Sequence, residues 1–186
     1  ILYNINLKIL PGKILTIIGP NGSGKSTFIK MIAGDTKPNS GSIFYNQLKL
    51  EKLSLEEKAK TRAVMSQSQL ISFDFSVREI VEMGWISKGI KNINSNFDNM
   101  IKNISEKCYI HDLLSRNFNT LSGGEKKRVH FARTLLQLWT PFSEIKNQYL
   151  ILDEPLNDLD LFHILNTIKI IRNMANKNIG VVMIIH

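Results

Sequence analysis

Cysteine is nearly absent. Cys108 is the single thiol among 186 residues, so no internal disulfide framework can form, and the chain suits a reducing cytosol with Cys108 as a packing residue. No stretch approaches the roughly 20 consecutive apolar residues of a membrane helix, and the N-terminus lacks a secretory-signal layout. The expectation is a soluble chain. No self-similarity recurs at about 20 to 50 residues, which argues against a solenoid, and no sustained heptads mark a coiled coil. Acidic residues are the minority, 16 against 24 Lys and Arg, for a net charge of +8. That balance permits nucleic acid, lipid head groups or nucleotide phosphates and selects none of them. The lysines are scattered beside asparagines on faces that read as solvated, so no nucleic-acid partner is expected. What is present is globular: 43% apolar and 22% charged residues, enough for one domain with a sizeable core. The chain opens at Ile1 without methionine and stops at His186 directly after the apolar run Val181 to Ile185. Both ends read as cut.

The most informative stretch is Gly19-Pro20-Asn21-Gly22-Ser23-Gly24-Lys25-Ser26-Thr27, which meets the pattern G-x-x-x-x-G-K-[ST] at every position. It follows the apolar run Ile14 to Ile18 and precedes a helical pattern, the context the pattern requires. Glycines let the backbone turn so that successive N–H groups face a polyphosphate, and the helix start adds its positive end. Lys25 then reaches the β- and γ-phosphates, the Ser26 hydroxyl holds Mg²⁺, and Thr27 is a further donor near the α-phosphate. A glycine-rich turn without a ligand is the bland alternative. By itself the motif indicates ATP or GTP.

Around this loop the chain alternates strands and helices. Ile5, Leu7 and Ile9 alternate with Asn6 and Lys8 as in a half-buried strand, and Leu10 to Lys13 reads as a turn of a hairpin leading into the loop. Phe28, Ile29, Ile32 and Ala33 share a helix face that Gly34 ends. Ser42 to Tyr45 and Leu48 to Leu50 read as a hairpin about Asn46-Gln47. Ser54-Leu55-Glu56-Glu57 is a capping box opening a short helix. Ala63 to Met65 is a brief strand, helical spacing returns from Val77, and Ile101, Ile104, Cys108 and Tyr109 form another stripe. Residues 88–99 and 139–148 read as connections. Between about Gln69 and Asn119 strands vanish, which suggests a helical subdomain set into an α/β core. Leu121-Ser122-Gly123-Gly124-Glu125 opens a helix, Tyr149 to Glu154 is an apolar strand ending in two carboxylates, Leu159-Asp160 begins a helix to about Ala175, and Ile179 to Ile185 is the last strand.

The order of these elements is discriminating. The phosphate loop, Leu121 to Glu125, the strand into Asp153-Glu154, the segment Asn157-Asp158-Leu159-Asp160 and His186 after a strand resemble the ATP-binding-cassette ATPases over essentially the whole chain. Gln67 falls where that family's glutamine loop belongs, with Gln69 as the competing candidate. The resemblance implies a P-loop NTPase core in the α/β class with a mostly parallel sheet, an antiparallel N-terminal β subdomain and an inserted α-helical subdomain. One domain spans 1–186, with core and β subdomain at about 1–68 and 120–186 and the helical subdomain at about 69–119.

Phosphoryl transfer needs a cation clamp, an oriented water and donors around the γ-phosphate. Asp153 is suited to hold Mg²⁺ beside Ser26, and Glu154 to orient or deprotonate the attacking water. The resemblance implies that Gln67 touches the metal or the water and that His186 contacts the γ-phosphate. It implies further that Ser122, Gly123, Gly124 and Glu125 serve the nucleotide of an opposite subunit in a head-to-tail homodimer, with Asp160 between the two sites. Arg62 to Gln67, Phe73 to Val77 and Ala132 to Trp139 look like the ATP-binding subunits of bacterial haem importers, within the iron-siderophore and cobalamin group. The implied assembly includes integral membrane permease subunits and, indirectly, a periplasmic binding protein, at the cytoplasmic face of the bacterial inner membrane. The sequence departs from the family at Ser66, where proline is common, at Lys126, where glutamine is, and at Leu156-Asn157-Asp158, which replaces a Thr-Ser-Ala type of run. The adenine-stacking aromatic of the family falls upstream of the first strand, and Tyr3 is a poor substitute by position. Iron-siderophore or cobalamin import, a soluble cassette ATPase acting on DNA or ribosomes, and a module that binds without hydrolysing stay open as alternatives.

Overall fold

The computed structural model describes residues 2–66, 71, 73–86, 96–139 and 147–185. Its sheet follows from four apolar runs. β1 (Ile14–Ile17), β4 (Arg62–Met65), β5 (Tyr149–Asp153) and β6 (Gly180–Ile184) form a parallel sheet in the order β1-β6-β5-β4. Parallel strands need crossovers, which lay helices on both faces and bury both. Side-chain alternation divides the core accordingly. Leu150, Leu152 and Val181 join one cluster, while Ile151, Val182 and Ile184 join the other.

The smaller cluster is covered by α1 (Lys25–Ala33) through Ile29 and Ile32, and by a hairpin of β2 (Phe44–Tyr45) and β3 (Leu48–Lys49). Asn46 and Gln47 both have positive φ, 50° and 72°, so this turn adopts a primed form without glycine. The hairpin is tied to α1 by the Tyr45 hydroxyl, which donates to the Ile32 carbonyl at 2.7 Å. α2 (Leu55–Thr61) opens with the expected capping box between Ser54 and Glu57.

The larger cluster is built by α3 (Val77–Ile86), α4 (Asn96–Lys107), α5 (Gly123–Leu138) and α6 (Leu161–Asn176). Val77, Ile80 and Val81 of α3 and Val129, Ala132 and Leu136 of α5 are fully buried there with Ala63 and Met65 of β4. The helical segment therefore shares one continuous core with the sheet. α3 and α5 approach closely because Gly84 has no side chain: a Cβ at this position would lie 2.2 Å from the Arg133 carbonyl oxygen.

The mostly parallel α/β sheet and the antiparallel pair agree with the sequence expectation, and three local expectations are corrected. Ile5 to Ile9 forms no strand, because no strand runs beside it among the described residues to complete a ladder; Ile5 and Leu7 are half exposed. Only the turn holds, with Gly12 at φ 73° and Lys13 N–H donating to the Leu10 carbonyl. Tyr109 is not on the α4 stripe. The helix ends at Lys107, and Tyr109 has φ 54° and is half exposed. The hairpin strands are also shorter than expected, since Leu50 turns into a 3₁₀ helix, Leu50–Lys52. The connections expected at 88–99 and 139–148 fall mainly outside the described residues.

Replacing Gly84 by alanine forces α3 off the α5 backbone. We expect it to lower unfolding stability by about 2 kcal/mol, read from the urea midpoint; an unchanged midpoint would contradict the close contact.

Candidate functional site: a phosphate loop facing a buried acid pair

Three strands end level. Ile17 pairs with Ile184, and Ile184 with Asp153, so the end of β1 and Asp153 stand about 10 Å apart across β6. The chain leaves β1 into the loop and returns at α1. Ser23 N–H donates to the Pro20 carbonyl, and Gly24 precedes the helix with φ 95°, a left-handed conformation that strains other residues. Gly24 supplies no side-chain cap. The first amides of α1 thus lack an intrahelical acceptor, an arrangement suited to an anion. Lys25 is buried, and its Nζ donates to the carbonyls of Gly19 at 2.7 Å and Pro20 at 2.9 Å. The lysine closes the loop on itself and places its charge among the loop's backbone.

Asp153 and Glu154 are 3% and 6% exposed at the end of β5. Burial pushes the Asp153 carboxyl above its ordinary pKa, and the neighbouring Glu154 charge adds to the rise; a hydrogen bond from Ser26 and the charges of Lys127 and Lys30 oppose it. Asp153 Oδ1 is buried without a hydrogen-bond partner among the described residues. Ser26 and Asp153 together form a set of hard oxygen donors around an orphaned carboxylate oxygen, and this fits Mg²⁺. Glu154 sits in left-handed backbone at φ 52°. Its Oε2 accepts from Asn157 Nδ2 at 2.7 Å, and its carbonyl accepts from Lys127 Nζ at 3.2 Å.

Lys127 lies on α5, so the second glycine-rich turn reaches the same acidic segment. Ser122 caps α5. Its hydroxyl accepts from Glu125 N–H at 3.3 Å, and the Glu125 carboxylate takes both the Ser122 N–H and hydroxyl at 2.8 Å. Those hydrogen bonds, the backbone one first, hold the Glu125 carboxyl below its ordinary pKa. A Cβ on Gly124 would lie 2.7 Å from the Asp158 carbonyl oxygen, so glycine lets the turn rest against this segment. Asp160 caps α6, its Oδ1 accepting from His163 N–H at 2.9 Å.

A cleft of about 460 Å³ opens beside the loop, lined by Ile5, Leu7, Ile18, Phe28, Ser23 and Lys25 among others. Ile5 and Leu7, from the segment that forms no strand, share its apolar wall with Ile17, Ile18 and Phe28. Tyr3 is 84% exposed and does not line it. The loop, Ser26, Asp153 and Glu154 are therefore brought together, and Ser122 to Glu125 adjoin the Glu154–Asp158 segment. Gln67, its competitor Gln69, and His186 lie outside the described residues. Sequence reasoning missed Lys127 and Asn157. It also missed the capping box at Ser122 and another at Ser76 and Glu79, although both show the S-x-x-E signal recognised at Ser54.

A nucleotide-binding P-loop domain is the class that this fold and loop define. The ABC transporter family model matches residues 2–157, and the chain belongs to this family of ATP-binding-cassette ATPases. It is similar to the hemin import ATP-binding protein HmuV of Rhodopseudomonas palustris strain HaA2, with 37% identity over 186 residues, all of this chain and 70% of the relative. The corresponding protein of Chelativorans sp. strain BNC1 is 41% identical over the same shares. Among solved structures, a dimeric bacterial ABC transporter cassette superimposes with a TM-score of 0.85 at 26% identity, covering this whole chain and 79% of that one. No helix among the described residues is long and apolar enough to cross a membrane.

Ser122→Ala removes half of the capping box and is expected to cost about 1 kcal/mol. The depressed Glu125 pKa contributes stability that is present above the unfolded carboxylate value, about 4.3, and is lost as pH falls through the folded value. The stability difference between variant and parent in urea unfolding should therefore shrink between pH 7 and pH 3.

Proposed function

We propose that this chain is the ATP-binding and ATP-hydrolysing subunit that energises a haem importer. The observation that carries the proposal is the phosphate loop with its buried lysine standing level with a buried acid pair across one strand. Residues Gly19 to Thr27 take the polyphosphate, with Lys25 exchanging loop carbonyls for phosphate oxygens. Ser26 and Asp153, with Gln67, are the residues that hold Mg²⁺, which when bound supplies positive charge against the polyphosphate. Glu154 takes the proton of, or orients, the water that attacks the γ-phosphorus, and His186 steadies the γ-phosphate. The ribose and base occupy the neighbouring cleft.

A second copy, arranged head to tail, supplies Ser122, Gly123, Gly124 and Glu125 to this nucleotide, with Asp160 between the sites. The dimeric cassette that superimposes on this chain supports such a pairing. Core and β subdomain at about 1–68 and 120–186 leave about 69–119 as a helical subdomain. The surface around Gln67 and residues 73–85 meets the permease at the cytoplasmic face of the membrane, and a periplasmic binding protein delivers cargo on the far side. The names and 37–41% identities of the hemin import relatives favour haem over a siderophore or cobalamin.

The cargo is tested by ATP hydrolysis of the chain reconstituted with its permease and binding protein. Haem should stimulate turnover; stimulation by a siderophore or cobalamin but not by haem would overturn this choice. For the chemistry, Glu154→Gln should reduce kcat by roughly 100-fold or more while retaining ATP, and light scattering should show an ATP-dependent dimer. Only monomer with Mg-ATP would count against the composite site.

A further inference from the structure

Glu154 is held at both ends by Lys127 and Asn157, to which the sequence assigned no role. Its backbone is left-handed at φ 52°, a conformation unfavourable for a non-glycine residue. Lys127 Nζ donates to its carbonyl, and Asn157 Nδ2 donates to its Oε2 at 2.7 Å. The second contact is local. A left-handed residue at 154 turns the chain back on itself, and Asp158, also left-handed at φ 65°, closes the turn so that the side chain three positions on faces the carboxylate. Asn157 stands at one of the positions where this sequence departs from the Thr-Ser-Ala type of run.

We infer that Asn157 is a positioning residue for Glu154, an assignment that rests on the reading of Glu154 as the group acting on the attacking water. A carboxylate at the end of a strand rotates about its side-chain torsions, and each misaligned rotamer withdraws the acceptor from the water. The Asn157 amide occupies one of about four lone-pair sites of the carboxylate and fixes its plane. An amide can only donate from Nδ2 and carries no charge, so it orients the carboxylate without neutralising it. The residue reaches the reaction through Glu154, so its loss should appear in turnover and leave nucleotide binding alone.

The test compares the parent with Asn157→Ala, Asn157→Asp, Asn157→Ser and Glu154→Gln, each in the full chain assembled with its permease. Nucleotide affinity is followed with a fluorescent ATP analogue and folding by thermal melting. Asn157→Ala should lower kcat roughly 10- to 100-fold, with KM for ATP and analogue affinity within about twofold of the parent. Asn157→Asp keeps the shape but sets a second carboxylate against Glu154, and should lower kcat at least as far. Asn157→Ser restores a donor of shorter reach and should recover part of the loss. In the Glu154→Gln background, adding Asn157→Ala should cause no further fall in single-turnover rate. The inference is overturned if Asn157→Ala keeps parental kcat, if its loss lies in KM, or if the two substitutions multiply. Should the alanine variant fail to fold, the aspartate and serine variants decide between the same outcomes. Parental turnover by Glu154→Gln would instead remove the underlying reading of Glu154, so the two failures are distinguishable.

Discussion

The rest of the structure depends on keeping two adjacent carboxylates buried at the end of a strand with no exposed face. Leu150, Ile151 and Leu152 are sealed between two layers of side chains, and the strand delivers Asp153 and Glu154 while they are still out of solvent. Burial, and then the neighbouring Glu154 charge, oppose ionisation of Asp153 and raise its pKa. Such a pair is tolerated where opposite charge and donors converge on it. Here they come from separate parts of the chain: Ser26 and Lys30 from α1, Lys127 from α5, and Asn157 from the turn itself. The parallel sheet makes that convergence possible, because β1 and β5 end level on either side of β6.

The two glycine-rich turns look alike in sequence and differ physically. Gly24 contributes no side chain to the start of α1, whose first amides remain available to an anion, and the positive residue there is Lys25. The start of α5 is already occupied, since the Ser122 hydroxyl accepts the Glu125 amide and the Glu125 carboxylate folds back over the cap. That carboxylate offers an anion no donor. The proposed phosphate contact at Ser122 to Gly124 would draw on the remaining backbone N–H groups and on a hydroxyl released from Glu125.

Much of this was legible in the sequence, for reasons that differ by element. The phosphate loop is legible because its spacing encodes backbone geometry, and β5 because a buried strand must be continuously apolar. Ile5, Leu7 and Ile9 carried the correct alternation but formed no strand, since alternation reports a buried face and not the presence of a hydrogen-bonding neighbour. Ile5 and Leu7 instead line the cleft beside the loop, and Ile9 packs against the smaller core cluster. Tyr109 lies two residues beyond the end of α4, in left-handed backbone that takes it off the stripe. Lys127 and Asn157 left no signal, because both contacts exist only once Glu154 has adopted its left-handed conformation and α5 has docked. The box at Ser122 was legible and was masked by the more conspicuous pair of glycines.

One consequence of the shared core bears on how binding at the phosphate loop reaches the surface. Val77, Ile80 and Val81 of α3 pack in the same cluster as Ala63 and Met65 of β4 and Leu150 and Leu152 of β5. Interiors packed at crystal-like density have little room to absorb a displacement locally. Gly84 brings α3 against the α5 backbone at Arg133, and the other end of α5 sets Gly124 against Asp158 and Lys127 against Glu154. A movement of α3 thus meets, through α5 as well as through the shared core, the segment that carries the buried acid. The contact runs in both directions, so α3 and the acidic segment are opposite ends of one packed body.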